Sequence, residues 1–145
     1  MSGIPDYRSE VVGLYARSNH RPVQYQDYLK SPAIRQRYWA RNYVGWPRFC
    51  TRLPNSAHEF ISKLEHNYDK VSCIITQNVD RLHQKAGSTN VIELHGSAFR
   101  VLCLDCKQSF DRHTVQEHMR ELNPTVADTT TMIRPDGDVE IPVVS

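Results

Sequence analysis

The sequence predicts an α/β protein built on part of a doubly wound, Rossmann-like parallel sheet. Residues 71–76 form a short apolar, β-branched run of the kind that fills a buried parallel strand, and residues 91–94 form a second such run. Between the two runs, Asp80 is placed to cap a short helix over 81–86, and Gly87 supplies the left-handed residue that ends it. Strand, helix and strand in this order predict a βαβ unit with a right-handed crossover.

Polar side chains follow both predicted strands at the points where the strands end. Gln77, Asn78 and Asp80 come after the first strand, and His95 comes directly after the second. Ligands of parallel sheets bind beyond the carboxyl ends of the strands, so these four side chains are expected to share one edge and to form a site. The alternative for the first three is that they are ordinary caps and turn formers. The alternative for His95 is a structural histidine.

Two further helices are predicted before the first strand, and the segment that precedes them has the composition of a loop. Ser31-Pro32 is a favourable helix start, and the helix is expected to end at about residue 44, before a glycine and a proline. Ser56 and Glu59 fit a capping box at the start of the second helix. Apolar residues recur at helical spacing over 57–64, which predicts an amphipathic helix packed on the sheet.

The chain after the second strand contains a candidate metal-binding motif. Cys103 and Cys106 have the C-x-x-C spacing that lets two thiolates on a tight turn reach one zinc ion. A structural zinc needs four ligands, and His113 and His118 are the nearby candidates for the other pair. The loop before them is about half the usual ~12–15 residues. On the helix predicted over 113–122, positions five apart also lie ~140° apart around the axis, so we expect these histidines not to complete the site.

Length and composition exclude several classes of protein. A chain of 145 residues with 39% hydrophobic and 23% charged residues is typical of one globular domain. A net charge of +2 is too small to indicate a nucleic-acid-binding protein, and no run approaches the ~18 apolar residues of a membrane span. Four cysteines, only two of them closely spaced, do not make a secreted disulfide scaffold. We expect an intracellular protein without nucleic-acid or membrane partners, and no feature sets its oligomeric state.

Four motifs follow one another along the chain: Gly3-Ile4-Pro5-Asp6-Tyr7-Arg8, Thr76-Gln77-Asn78-Val79-Asp80, His95-Gly96, and the C-x-x-C of Cys103 and Cys106. In order and spacing they resemble the sirtuins, a family of NAD-dependent protein deacylases, and the flanking stretches are most similar to its mitochondrial class II branch. The resemblance implies a partial NAD-binding Rossmann-like domain over 1–97, with a helical insertion at about 31–66. It also implies a partial zinc-binding module over 98–145.

The resemblance implies an activity and its partners. The activity is NAD-dependent removal of an acyl group from a lysine of a protein substrate, protein ADP-ribosylation, or both, with release of nicotinamide. The implied cofactors are NAD and Zn²⁺, and the implied partner is a protein with acylated lysines. The implied compartment is the mitochondrial matrix, although we expect no transit peptide because the chain enters its first motif at Ser2.

The same resemblance assigns roles to individual residues. His95 resembles the general base, which deprotonates a ribose hydroxyl of NAD, and a group that titrates near neutral pH suits that role. Asn78 is the second implied catalytic residue, which positions the ribose and the catalytic water. Cys103 and Cys106 are the implied zinc ligands. The implied cofactor-binding residues are Asp6, Arg8, Gln77, Asn78, Asp80 and His95.

Two parts of the sirtuin sequence pattern do not occur in these 145 residues. In sirtuins a strand and a G-A-G-x-S turn precede the loop that begins at Gly3, and a second C-x-x-C follows the first. The resemblance therefore implies a shortened form, truncated at both ends. Two functional interpretations follow: an enzyme of which this chain is a part or a shortened form, or a non-catalytic interaction fragment of a sirtuin.

Overall fold

The computed structural model describes residues 2–4 and 23–127. The loop residues Asp6 and Arg8 lie outside the described residues. The apolar run over 139–144, which predicts a further strand with Pro142 placing it at an edge, lies outside them too. Among the helices that are described, none is long and apolar enough to cross a membrane. In chain order the elements are α1 (Tyr25–Lys30), α2 (Pro32–Cys50), α3 (Ser56–His66), β1 (Ile74–Thr76), α4 (Leu82–Lys85), β2 (Val91–Glu93), β3 (Arg100–Leu102), β4 (Ser109–Asp111) and α5 (Arg112–Leu122).

The described chain divides into two compact units. One contains residues 2 and 49–122, with both sheets and every predicted strand-end residue, and the other contains residues 3–4, 23–48 and 123–127. The functional division at residues 97 and 98 remains a prediction.

The two predicted strands pair in parallel, as the sequence predicts. Ile74 lies opposite Val91, and Thr76 lies opposite Glu93. The first strand is shorter than the predicted run over 71–76, because the carbonyl of Ser72 accepts a hydrogen bond from the side chain of Asn90 instead of joining the ladder. Regular pairing therefore begins only at Ile74, whose N–H donates to the carbonyl of Asn90 at 2.9 Å.

The sheet of β1 and β2 has one buried and one exposed face. Ile74 is 9% exposed, whereas Ile75 is 65% exposed, Ile92 is 48% exposed and Leu94 is 57% exposed. Side chains alternate between the faces of a strand, and Ile75 and Ile92 are register partners, so the three exposed residues form one apolar patch. A strand with both faces covered would bury these residues.

The short helix between the strands differs from the prediction at its start. Asp80 Oδ1 accepts from the N–H of Leu82 at 2.9 Å, as expected of a capping carboxylate. The N-cap, however, is Arg81, which adopts a left-handed conformation (φ 56°) and delays the helix until Leu82. The predicted left-handed glycine is confirmed: Gly87 has φ 100°, and the N–H of Ser88 donates to the carbonyl of His83 at 3.0 Å, which closes the helix in a Schellman motif.

The helix predicted from the apolar spacing over 57–64 is confirmed as α3, but its predicted apolar face is not buried on the sheet. Phe60 is 59% exposed, and the polar Ser62 is buried instead.

The predicted capping box of Ser56 and Glu59 is wrong by one position. Asn55 is the N-cap, and its Oδ1 accepts from the N–H groups of Ala57 (3.0 Å) and His58 (3.3 Å). His58 completes the box, because its ring nitrogen accepts from the N–H of Asn55 at 3.4 Å. Asparagine caps a helix as well as serine does, and the helix uses Asn55.

The two cysteines lie on the turn of an antiparallel hairpin. Arg100 pairs with Asp111 and Leu102 pairs with Ser109, and the N–H of Cys103 donates to the carbonyl of Gln108 at 2.9 Å. The apolar run over 99–102 predicts a short strand before the cysteines. This strand and the helix predicted over 113–122 are both confirmed within a residue of their bounds. The second strand of the hairpin was not predicted, because its three residues include a single apolar side chain, Phe110, and so are too short to show an alternating pattern.

Helix α2 runs further than predicted. It continues through Gly45 and Pro47 to Cys50, although a proline inside a helix costs ~3 kcal/mol or more. Tyr43 and Trp46 are both 5% exposed, and burying each large apolar side chain contributes about 1.5–3 kcal/mol, which offsets that cost. The start at Ser31-Pro32 is confirmed, because Ser31 Oγ accepts from the N–H of Ile34 at 3.3 Å.

Helix α1 was not predicted, and its carboxyl end is held by a side chain from α2. The guanidinium of Arg35 donates to the carbonyls of Tyr28 (3.0 Å) and Leu29 (2.9 Å). The indole N–H of Trp39 also donates to the Tyr28 hydroxyl at 2.9 Å. A six-residue helix depends on such tertiary contacts, since isolated helices of that length are unstable in water.

Candidate active site

The two parallel strands end side by side, and this places the predicted site residues at one edge. The N–H of Leu94 donates to the carbonyl of Thr76 at 2.9 Å, so the last ladder bond joins the residues just before Gln77 and His95. Parallel pairing requires the chain to leave both strands in the same direction. Gln77 and His95 therefore leave the sheet at the same edge, as the sequence predicts.

Gln77 and Asn78 are exposed, and a hydrogen bond fixes the backbone at Asn78. The N–H of Asn78 donates to Thr76 Oγ1 at 3.0 Å, which forms a side-chain-mediated turn at the strand end. Both amide groups remain exposed to solvent. The arrangement presents hydrogen-bonding groups outward from a fixed backbone.

Asp80 differs from these two residues because it is buried. The residue is 9% exposed, and Oδ1 accepts from the N–H of Leu82 at 2.9 Å. A carboxylate has capacity for several hydrogen bonds on its two oxygens. One capping bond therefore leaves Asp80 able to accept from a ligand N–H as well.

His95 lies on an exposed turn at the end of the second strand. Gly96 adopts φ 75°, and its N–H donates to the carbonyl of Glu93 at 3.2 Å, so the chain reverses immediately beyond the imidazole. The side chain is exposed. An accessible imidazole can exchange protons with a ligand or solvent, as a general base must.

A pair of histidines that sequence reasoning missed lies next to Asp80. The ring centroids of His58 and His83 are 4.8 Å apart. Burial lowers the pKa of His83, and the neighbouring His58 lowers it further, while the carboxylate of Asp80 acts in the opposite direction. The neutral form of His83 is therefore favoured near Asp80. The position of His58 in the first turn of α3 is visible in the sequence. Its contact with His83 is a tertiary contact that no sequence signal predicts.

The backbone of the cysteine turn favours the thiolate form of Cys103. The backbone N–H groups of Cys106 and Asp105 point at the sulfur of Cys103 and lower its pKa, which favours the thiolate form that binds zinc. Within residues 2–4 and 23–127, no three potential ligands come together as a metal site. The backbone N–H of His113 donates to Asp111 Oδ1 at 2.7 Å. The expectation that His113 and His118 do not complete the site remains a prediction.

Comparison with known proteins identifies the class of protein that this fold and site define. The Sir2 family model matches residues 1–138, so the chain belongs to the Sir2 family. Among solved structures, a Sir2 homologue mutant in complex with ADP-ribose is 34% identical, with a TM-score of 0.62, and covers 92% of this chain and 46% of its own. A Sir2 homologue in complex with NAD is 38% identical with a TM-score of 0.58, and covers 76% and 41% respectively.

The curated relatives point to a particular branch of the family. The Drosophila melanogaster NAD-dependent protein deacylase Sirt4 is 58% identical over 142 residues, which is 98% of this chain and 45% of that protein. The Homo sapiens NAD-dependent protein lipoamidase sirtuin-4, mitochondrial, is 54% identical over 138 residues, which is 95% of this chain and 44% of that protein. The chain thus spans a little under half the length of these relatives. The expected family, branch and fold class are confirmed.

Proposed function

We propose that this chain carries the nicotinamide-ribose part of a sirtuin active site, and that the complete protein is an NAD-dependent protein lysine deacylase, a protein ADP-ribosyltransferase, or both. The observation that carries the proposal is the adjacent ending of β1 and β2. It brings Gln77, Asn78, Asp80 and His95 to one edge of the sheet. The relatives named as deacylases and a lipoamidase support the same activity.

The donor and acceptor groups at this edge fit the nicotinamide riboside end of NAD. A ribose offers hydroxyl groups that exposed amides can bind, and Gln77 and Asn78 supply such amides. The carboxamide of nicotinamide has N–H groups, which suit the acceptor oxygens of Asp80. When bound, NAD supplies a ribose–nicotinamide bond whose cleavage releases nicotinamide. Asp6 and Arg8 complete the proposed cofactor contacts.

His95 is the proposed general base. Its exposed imidazole lies at the strand end next to the amides that would orient the ribose. An imidazole that is within reach of a ribose hydroxyl can take its proton and hold it at a ring nitrogen. Asn78 is the second proposed catalytic residue, and it would hold the ribose and a water molecule in position for that transfer.

The cysteine turn is proposed to hold two of the four ligands of a structural zinc. The backbone N–H groups of the turn lower the pKa of Cys103 and so favour the thiolate form that this role requires. With the hairpin and α5, these cysteines form the proposed zinc-binding module over 98–145, and residues 1–97 form the proposed cofactor-binding part. The proposed compartment is the mitochondrion, in line with the mitochondrial relatives.

The test is a product balance with the complete protein that carries these residues. It is incubated with NAD and a peptide containing an acylated lysine, and free nicotinamide and deacylated peptide are quantified by mass spectrometry. A deacylase releases the two products in equal amounts, whereas a protein ADP-ribosyltransferase releases nicotinamide while a protein gains the mass of ADP-ribose. Absence of NAD-dependent nicotinamide release with a panel of acyl groups and acceptor proteins overturns the proposal.

A further inference from the structure

A partly buried carboxylate on strand β2, two residues before His95, lies near two arginines. The side chain of Glu93 is 11% exposed; its Oε1 lies 3.7 Å from Arg81 Nε, and its Oε2 lies 4.0 Å from a terminal nitrogen of Arg100. Both distances exceed those of a hydrogen bond, and Glu93 Oε1 and Arg81 Nε have no hydrogen-bond partner among the described residues. The attraction between Glu93 and Arg81 is therefore mainly one of charge.

Arg81 adopts a backbone conformation that a residue with a side chain seldom takes. It lies in the left-handed region (φ 56°, ψ 25°) and caps α4 without a side-chain hydrogen bond. Such conformations persist only where the surroundings hold them. Two groups lie against the Arg81 guanidinium: the carboxylate of Glu93, and the ring of Phe99, whose centroid lies 5.6 Å from the guanidinium carbon.

Glu93 is linked to both parts of the candidate site, the turn that contains Asp80 and the strand end that carries His95. Arg81 directly follows Asp80, so the backbone angles at Arg81 set where the chain leaves the buried carboxylate and where its capping bond to Leu82 falls. Glu93 itself precedes His95 by two residues and is the register partner of Thr76. One carboxylate therefore acts on the turn that presents Asp80 while belonging to the strand that presents His95.

We propose that Glu93 is a positioning residue, which uses its charge to hold Arg81 in the left-handed conformation and so aims the Asp80 carboxylate at the cofactor. The inference rests on the proposed function, in which Asp80 contacts the nicotinamide carboxamide. It assigns Glu93 a role distinct from that of a core-filling side chain, because the role depends on charge and not on shape.

The test compares substitutions that separate charge, shape and backbone conformation. Glu93→Gln keeps the shape and removes the charge, and it should lower kcat/KM for NAD about 10-fold to 100-fold, mainly through a higher KM, since small misplacements of a contacting group have effects of this size. Arg81→Gly should retain most of the activity, because glycine adopts φ 56° without strain. Arg81→Ala should lose more than Arg81→Gly. Glu117→Gln, which removes the carboxylate of an exposed ion pair, is the matched control.

The double variant Arg81→Gly with Glu93→Gln gives the decisive result. If Glu93 acts through Arg81, its substitution should cost much less in the glycine background than in the unmodified protein, so that the two effects are not additive. Fully multiplicative losses, or equal activities of Arg81→Ala and Arg81→Gly, overturn the inference while the unmodified protein remains active. Thermal unfolding shows which variants are folded. A Glu93→Gln variant that does not fold, while Glu117→Gln folds, also overturns the inference, because Glu93 is then a structural residue. An unmodified protein without NAD-dependent activity instead overturns the proposed function, and this inference with it.

Discussion

The backbone N–H of Ala98 donates a hydrogen bond of 3.0 Å to the carbonyl of Val79. It ties the segment that follows His95 to the segment that contains Asn78 and Asp80. The two halves of the candidate site are thus joined by main-chain bonds beyond the end of the sheet, as well as by the ladder within it. Because backbone groups make these bonds, substitutions of the exposed side chains of Asn78 and His95 are expected to leave the fold intact.

Gly87 is predicted to be intolerant of any side chain. It has φ 100°, and a β-carbon at this position would lie 3.3 Å from Ser62 Oγ. Gly87→Ala should therefore destabilise the protein by about 1–2 kcal/mol, the cost of a left-handed backbone with a side chain. Gly45→Ala is the matched control: nothing lies within 4 Å of its β-carbon position, and alanine inside a helix should stabilise by about 0.5–1 kcal/mol. Urea denaturation measures both, and equal effects of the two substitutions contradict the prediction.

Glu65 is predicted to make stability depend on pH in the acid range. Its Oε1 accepts from the N–H of Thr89 (3.0 Å), the hydroxyl of Thr89 (2.8 Å) and the N–H of Asn90 (3.1 Å). These donors, the Thr89 N–H above all, lower the pKa of Glu65 from 4.5 to about 2. A lowered folded-state pKa means that this stabilisation is fully present above pH 4.5 and is lost as the pH falls toward 2.

Glu65→Gln isolates that contribution. Glutamine keeps an acceptor oxygen but does not titrate, so the unfolding temperature of the variant should be lower than that of the unmodified protein at pH 7. The difference between the two should shrink as the pH falls from 4.5 toward 2. Glu59→Gln, on the exposed first turn of the same helix, serves as the control and should show no such convergence. A difference that stays constant with pH refutes the assignment to Glu65.

Zinc is predicted to bind through the cysteine turn and independently of the histidines of α5. In the complete protein, Cys103→Ser should remove the bound metal measured by inductively coupled plasma mass spectrometry, because serine is a poor zinc ligand. Cys73→Ser and His113→Ala should keep it. Loss of zinc in His113→Ala would show that the histidine does complete the site.

The exposed apolar patch of the parallel sheet is predicted to promote self-association of the 145-residue chain. Ile75 and Ile92 are register partners that are 65% and 48% exposed, and unprotected apolar strands associate with other chains. Replacing both with threonine should lower the apparent mass in light scattering at a fixed concentration. Leu53→Thr, at an equally exposed loop position, should not. Equal scattering by both variants would rule out the patch as the contact surface.

The βαβ unit and its strand-end residues could be predicted because their signals are local. The apolar run before Gln77, the cap at Asp80 and the left-handed Gly87 each depend on neighbours within a few residues. Parallel pairing then places His95 at the same edge without further information. The general fold and most of the candidate site were therefore accessible before the structure was known.

The remaining features depend on contacts between residues that are distant in sequence. Helix α2 passes Pro47 because Trp46 is buried, and sequence propensity alone ends the helix earlier. The left-handed Arg81 is held by Glu93 twelve positions away, and His83 meets His58 from another helix. No local rule predicts such tertiary contacts, since they override the intrinsic preference of each segment.

The most direct measurement of the central claim is the rate of nicotinamide release from NAD, with a saturating acyl-lysine peptide, by the complete protein and its His95→Ala variant. We predict that the variant remains folded by circular dichroism and loses activity by ~100-fold to 10,000-fold, as expected on removal of a general base. His118→Ala, an exposed histidine on α5, should retain full activity. A folded His95→Ala variant with most of its turnover would contradict the assignment of the strand-end site as the catalytic centre.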